Sequence, residues 1–470
     1  MLEGIVTCVK HAATLSENIY CITTLDASGA KVFEIKSNIV LHLGDMINAQ
    51  VNEGRIESAI ITDSKDALAL YCAKAAEYAK ELVMNSAPSA VPALDKVTDT
   101  MRPKLQFAAA LLIERLLLGS PLIVRFHNDA DGATGGYGLY LALQDLFKRV
   151  APSGSPKVFW KMQRGIAYSV SDAREDTITV GNYNSLGKPV LLITDFGTTE
   201  ESIEGAKIAG EKFEIIWLDH HPVLDSLASL VTNYINPWQF GGDSNYTAGF
   251  LTCEFGKLFA QIDVGLIQSA AMVGDYSSHV LDDPAGRDFA LLLDMLTSDK
   301  KIAISSGATD LTPLEIDQIM RDEKKKTELV NYARGRIEDA IDSGIEALKQ
   351  YKSEYASVYL LDFENVRRDY NTKYPLPGRY ASKLLERIEK SSEKPPILVL
   401  HFGHFVSIRV SSPIADKVNL LTIVNELKAG YSYIDAAGGH KNAASIKLKT
   451  DEAKKELIYA LLRALGCSIA

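Results

Sequence analysis

Between residue 121 and about residue 285, short apolar runs alternate with stretches of helical period, and this alternation restricts the fold more than any other feature of the chain. The runs 121–126 (PLIVRF), 157–162 (KVFWKM), 189–194 (PVLLIT) and 213–218 (FEIIWL) show little of the polar alternation of a half-exposed strand. Helical patterns at Gly132 to Arg149 and near Ile203 to Gly210 separate them. Strands buried on both faces and separated by helices predict an α/β fold with a parallel sheet. Ligands of such sheets bind beyond the strand C-termini.

Acidic and histidine clusters fall at those termini. The run 121–126 leads into His127-Asn-Asp129-Ala-Asp131-Gly132, the run 189–194 into Asp195, and the run 213–218 into Asp219-His220-His221. A helical run, Val264 to Val273, ends in Gly274-Asp275. Carboxylates and imidazoles gathered at one sheet edge repel one another unless cations compensate them. Oxygen and imidazole donors without thiolates suit Mn²⁺ or Mg²⁺, with Zn²⁺ or Co²⁺ as substitutes in vitro. Two such ions about 4 Å apart clamp a phosphoryl group for in-line displacement, so the expected reaction is phosphoester or phosphoanhydride hydrolysis.

The flanking segments read differently. Residues 1–62 contain five short alternating runs and a turn signal at Asp26-Ala-Ser-Gly29, which predict a small β-barrel of OB type. Such barrels commonly hold single-stranded nucleic acid, and Tyr20 and Phe33 are the mid-strand aromatics available for it; a structural or docking barrel is the alternative. Residues 63–118 read as a helical linker, 119–300 as the metal-bearing domain, 301–355 as a charged helical connector and 356–470 as a smaller α/β domain. A chain of 470 residues exceeds the roughly 250 to 300 that one core supports, which fits several domains. The net charge of −10 argues against a nucleic-acid partner only weakly, because a site rich in aspartate is neutralised once it holds metal. Five scattered cysteines without a CxxC pair, and no basic leader or unbroken apolar span, lead to the expectation of a cytoplasmic protein away from membranes.

Taken in order, HNDADG, Asp195 in LLITDFG, Asp219-His220-His221 and Asp275 in AAMVGDYSS resemble the four motifs of the DHH phosphoesterase superfamily. Gly438-Gly439-His440 followed by Asn442-Ala443-Ala444 is similar to the glycine-rich motif of the DHH-associated domain. With the N-terminal barrel, the arrangement most resembles archaeal RecJ-like single-strand exonucleases. The resemblance implies that His127, Asp129, Asp131, Asp195, Asp219, His220 and Asp275 bind two Mn²⁺ or Mg²⁺ ions. It implies that Asp219, His220 and His221 serve catalysis, with His221 at the scissile phosphate or leaving group. It further implies that His221, Arg409, Gly438, Gly439 and His440 bind substrate. Single-stranded DNA or RNA is the implied substrate, and GINS, the replicative helicase or a repair helicase are the implied partners. In many small-substrate members a histidine stands four residues before the first motif aspartate, where this chain has Arg125; that departure favours a polymer substrate. A DHH-type phosphodiesterase on short substrates and a replisome scaffold are the competing expectations.

Overall fold

The computed structural model describes residues 2–10, 18–26, 29–62, 65–85, 95–151, 156–279, 283–298, 311–367, 374–439 and 441–468. The chain divides into two compact units, Met1–Leu293 with Ala303–Lys326, and Asp294–Ile302 with Thr327–Ala470. Among the described residues no helix is long and apolar enough to cross a membrane.

The first unit begins with β1 (Leu2–Lys10), β2 (Asn18–Asp26), β3 (Gly29–Ser37), β4 (Met46–Asn52) and β5 (Arg55–Thr62). They close in the order β1-β2-β3-β5-β4-β1, antiparallel throughout except between β3 and β5. This is the Greek-key connectivity of a five-stranded OB-type barrel. Asp26 pairs with Gly29 across the expected hairpin, whose two central residues lie outside the described ones. Val6, Tyr20, Ile22, Ile35 and Ile47 fill the interior. Tyr20 is therefore not a surface aromatic: its ring is fully buried, and its hydroxyl donates to the Ile39 carbonyl at 3.1 Å.

Two helices, α1 (Lys65–Asn85) and α2 (Asp95–Leu117), follow the barrel. The apolar period that predicts α2 starts at Met101, but the helix begins at Asp95, because its first turns carry polar residues and leave no such trace. Ile5, Ala30 and Val32 of the barrel join one core with Leu105, Leu112 and Leu116 of α2 and with Leu122 and Val124 beyond it.

The central sheet has the order β11-β10-β9-β6-β7, parallel throughout. Its strands are β6 (Leu122–His127), β7 (Val158–Gln163), β9 (Val190–Thr194), β10 (Glu214–Leu218) and β11 (Asn233–Ile235). Between them run α3 (Ala130–Val150), α4 (Val170–Val180), α5 (Ile203–Lys212) and α6 (Asp225–Ala228), and after them α7 (Ala248–Lys257), α8 (Gly265–Gly274) and α9 (Pro284–Ser298). Strand β8 (Tyr183–Ser185) leaves this sheet and pairs antiparallel with β1, extending the barrel's sheet.

The second unit carries a six-stranded sheet in the order β12-β13-β14-β15-β17-β16. Its strands are β12 (Lys349–Lys352), β13 (Ser357–Asp362), β14 (Pro396–Phe402), β15 (Phe405–Val410), β16 (Ile434–Gly439) and β17 (Ala443–Leu448). The long helix Glu323–Ala347 ends before β12, so the expectation of helix as far as residue 355 is corrected there. KQYK at a sheet edge is mostly exposed and has no apolar alternation to announce it.

Candidate metal centre

Parallel register aligns the strand ends: Phe126 pairs with Thr194, and Thr194 with Leu218. His127 at the end of β6, Asp195 after β9 and Asp219 after β10 therefore emerge side by side, and Asp275 closes the C-terminus of α8. Asp195 adopts φ +69°, a left-handed conformation uncommon for a residue with a Cβ. Strain of this kind, held at a buried carboxylate, concentrates at functional positions.

Three of the carboxylates are anchored by backbone amides. Asp129 caps α3, with Oδ1 accepting from the Gly132 amide at 3.0 Å, and Oδ2 lies 2.7 Å from His127 Nδ1. Asp131, fully buried, accepts from the Ala248 and Gly249 amides at 2.8 and 2.9 Å, so the N-terminus of α7 holds it. Asp219 Oδ1 accepts from the His220 amide at 2.8 Å and lies 2.8 Å from His221 Nδ1, while Thr198 donates its hydroxyl to Oδ2.

His220 sets the chemistry of the cluster. Its Nδ1 lies 2.7 Å from the Ser244 carbonyl, which can only accept, so Nδ1 carries a proton and Nε2 of the neutral ring presents a lone pair. That Nε2 is buried, makes no hydrogen bond, and faces Asp275 Oδ2 at 3.2 Å, Asp195 Oδ1 at 3.4 Å and Asp131 Oδ2 at 3.8 Å. Asp195 Oδ2 is likewise buried without a hydrogen bond. Among the described residues three donor groups have ligand atoms within 4.8 Å of one another: Asp195 with Asp219, His220 and His221; His127 with Asp129 and Asp195; and Asp131 with His220 and Asp275. Orphaned buried donors of oxygen and imidazole type fit a divalent cation.

The protonation pattern of the metal-free cluster says the same. Burial, and after it the Asp275 carboxylate, push Asp131 up to about 7. Burial with Asp129 and Asp131 nearby holds Asp195 well above the usual carboxylate range. Burial disfavours the charged form of His220, yet the Asp195 and Asp275 carboxylates facing it keep its pKa well above the imidazole norm. Burial also works against ionised Asp219, and His221 overcomes it, holding that carboxyl low. Protons thus stand where a cation would neutralise the same charges.

Residues outside the four motifs support this core. Thr198 binds Asp219 and lies 3.1 Å from the Tyr234 hydroxyl, and Ser244 fixes His220 through its carbonyl. Asn236 Nδ2 donates to the His221 carbonyl at 2.9 Å, and Trp238 Nε1 to the His220 carbonyl at 3.1 Å. Arg125 lies apart from this constellation: it is buried, and its guanidinium binds Asp176 of α4 at 2.7 and 2.9 Å, Gln163 at 2.8 Å and Asp172 at 3.2 Å.

In the second unit Arg409 on β15 pairs in register with Ala443 of β17, and Gly439 of β16 with Ala444. Gly438 and Gly439 end a strand rather than forming a free loop, and Gly439 takes φ +139° with the Ala443 carbonyl where a Cβ would stand. The Arg409 Nε donates to Ser382 Oγ at 3.3 Å. His440 lies outside the described residues.

No family model matches the chain. An uncharacterized protein of Methanocaldococcus jannaschii is 26% identical in an alignment 404 positions long that covers 75% of this chain and 52% of the relative, so the chain spans about half the length of that curated relative. The solved DHH domain of a protein described as a member of a family of ribosomal proteins superposes with a TM-score of 0.69 at 22% identity, over 86% of this chain and all of that one. RecJ from Thermus thermophilus in complex with Mn²⁺ superposes with a TM-score of 0.47 at 18% identity, over 84% of this chain and 58% of that one. With the motif residues gathered at one edge of its parallel sheet, the chain has the fold of the DHH-domain proteins.

Proposed function

We propose that the chain is a divalent-metal-dependent phosphoesterase, acting as an exonuclease that shortens single-stranded DNA or RNA to nucleoside monophosphates in replication or repair. The observation that carries this reading is His220 Nε2, buried, without a hydrogen bond and ringed by Asp131, Asp195 and Asp275. The donor groups overlap at Asp195 and His220, which supports two adjacent ions, Mn²⁺ or Mg²⁺ by donor type. When bound, such ions supply Lewis acidity and charge neutralisation at the scissile phosphoryl group.

The chain's own residues orient and protonate. Asp219 holds His221 through Nδ1, and the His221 side chain is 43% exposed, leaving Nε2 to carry a proton to the leaving oxygen. Arg409, Gly438, Gly439 and His440 are assigned to the substrate phosphates, and GINS or a helicase to the setting in which the enzyme works.

The test is digestion of single-stranded DNA and RNA, labelled at either end, with Mn²⁺ and with chelator, beside pyrophosphate and a dinucleotide. Metal-dependent stepwise shortening from one end supports the reading. Cleavage of the small substrates alone replaces it with a short-substrate phosphodiesterase or pyrophosphatase, and no cleavage at all replaces it with a scaffold subunit. Asp219→Ala combined with His220→Ala is expected to abolish the Mn²⁺-dependent activity with an unchanged circular dichroism spectrum.

A further inference from the structure

A second chemical feature lies away from the acidic cluster. Cys8 on β1 and Cys21 on β2 are register partners. The pairing shifts register between Val6 and Cys8, so the pair stands beside a β-bulge, and the two thiols are near enough there to hydrogen-bond to one another. On its other side Cys8 is opposite Ser185 of β8, so β1 is held from both edges at this point. The two cysteines line one cavity with Lys10, Glu34, Lys157 and Tyr183. Cys8 is nearly buried and Cys21 half-buried.

We propose that Cys8 and Cys21 are a site of oxidative modification, closing to a reversible disulfide on reaction with hydrogen peroxide. The Cys21 thiol lowers the pKa of Cys8 against the opposing effects of burial and Glu34, with Lys10 and Lys157 assisting, while the hydrogen bond with Cys8 and burial raise Cys21. With the Lys10 and Lys157 ammonium groups lining the same cavity and Lys10 two residues along β1, Cys8 is assigned as the nucleophile and Cys21 as the resolving thiol. The Cys8 thiolate attacks one oxygen of hydrogen peroxide, the O–O bond breaks, and hydroxide leaves as Cys8 becomes a sulfenic acid. Cys21 sulfur then attacks Cys8 sulfur, the S–O bond breaks, and the Cys21 proton leaves with the departing oxygen as water. Both thiols are oxidised and one peroxide is reduced.

The full chain, treated with hydrogen peroxide, alkylated and digested, tests this by mass spectrometry. A peptide pair joined Cys8 to Cys21, reversed by dithiothreitol, is expected, with Cys72, Cys253 and Cys467 still alkylated. In Cys21→Ser, a sulfenic-acid trap such as dimedone is expected to label Cys8 several-fold more than in the unsubstituted chain. Full alkylation of both cysteines after peroxide, or irreversible oxidation of Cys8 without the link, overturns the proposal. The measurement on the unsubstituted chain stands whether or not the variant folds.

Discussion

Ser244 donates its hydroxyl to the His220 carbonyl at 2.8 Å and offers its own carbonyl to the ring, and that carbonyl oxygen decides which nitrogen of His220 faces the carboxylates. Thr198 acts in the same indirect way on Asp219, and Thr198→Val is expected to weaken Mn²⁺ binding about 10–100-fold in calorimetry with the fold intact. Proton linkage gives a second expectation. Asp131 and Asp195 titrate higher folded than unfolded, so the folded chain binds extra protons above about pH 4 and loses stability as pH rises toward about 7. Raised His220 adds stability that is present below about pH 6.5 and lost above its folded pKa, in the same direction, while lowered Asp219 acts only below about pH 4. In chelator the melting temperature should therefore fall between about pH 5 and pH 8, and saturating Mn²⁺ should remove or reverse the slope. A flat profile in chelator would mean that the cluster is not charged as described. At this scale the sequence is legible where a motif follows a strand, as at Asp195 and Asp219. It is silent on Thr198 and Ser244, because both act through hydroxyl or carbonyl groups that any loop carries and that leave no pattern.

Among the elements, α3 and α7 pack closely enough that Gly249 is required between them. A Cβ there would meet Thr134 Oγ1 and would lie 2.7 Å from the Asp131 carbonyl oxygen, while the Gly249 amide must still reach Asp131 Oδ1. Gly249→Ala should displace α7 from Asp131, and loss of Mn²⁺-induced thermal stabilisation is the readout; retained stabilisation would show that α7 does not position that carboxylate. The strands of the central sheet are legible because burial on both faces leaves unbroken apolar runs. Helix α4 and strand β8 are not. The sequence VSDAREDTITV is polar because Asp172, Glu175 and Asp176 meet Arg125 and Lys161, and the three residues of β8 are too few to show a period. Arg125 thus marks a structural network rather than a substrate contact. Removing its bidentate partner with Asp176→Ala should cost about 1.5–3 kcal/mol, measured by denaturant unfolding, because the buried guanidinium loses two charge-assisted hydrogen bonds while keeping Gln163, Asp172 and Glu175.

For the first unit as a whole, the barrel shares its core with α1, α2 and the central sheet: Thr23 donates to the Leu117 carbonyl at 3.0 Å, and Ile5, Ala30 and Val32 lie among their apolar side chains. Deleting residues 1–62 is therefore expected to destabilise the metal-bearing sheet rather than merely reduce affinity for long strands. A lowered melting temperature with early loss of Mn²⁺ binding would bear this out; an unchanged one would make the barrel a separable module. The barrel itself is legible from alternation, but its union with the sheet is not, since the pairing of β1 with β8 joins segments far apart in sequence. That pairing also bears on synthesis. The end of β1 leaves the ribosome well before its neighbour Ser185, which emerges only after α3, β7 and α4, so a barrel formed during translation waits with this edge of β1 open until the middle of the first unit arrives.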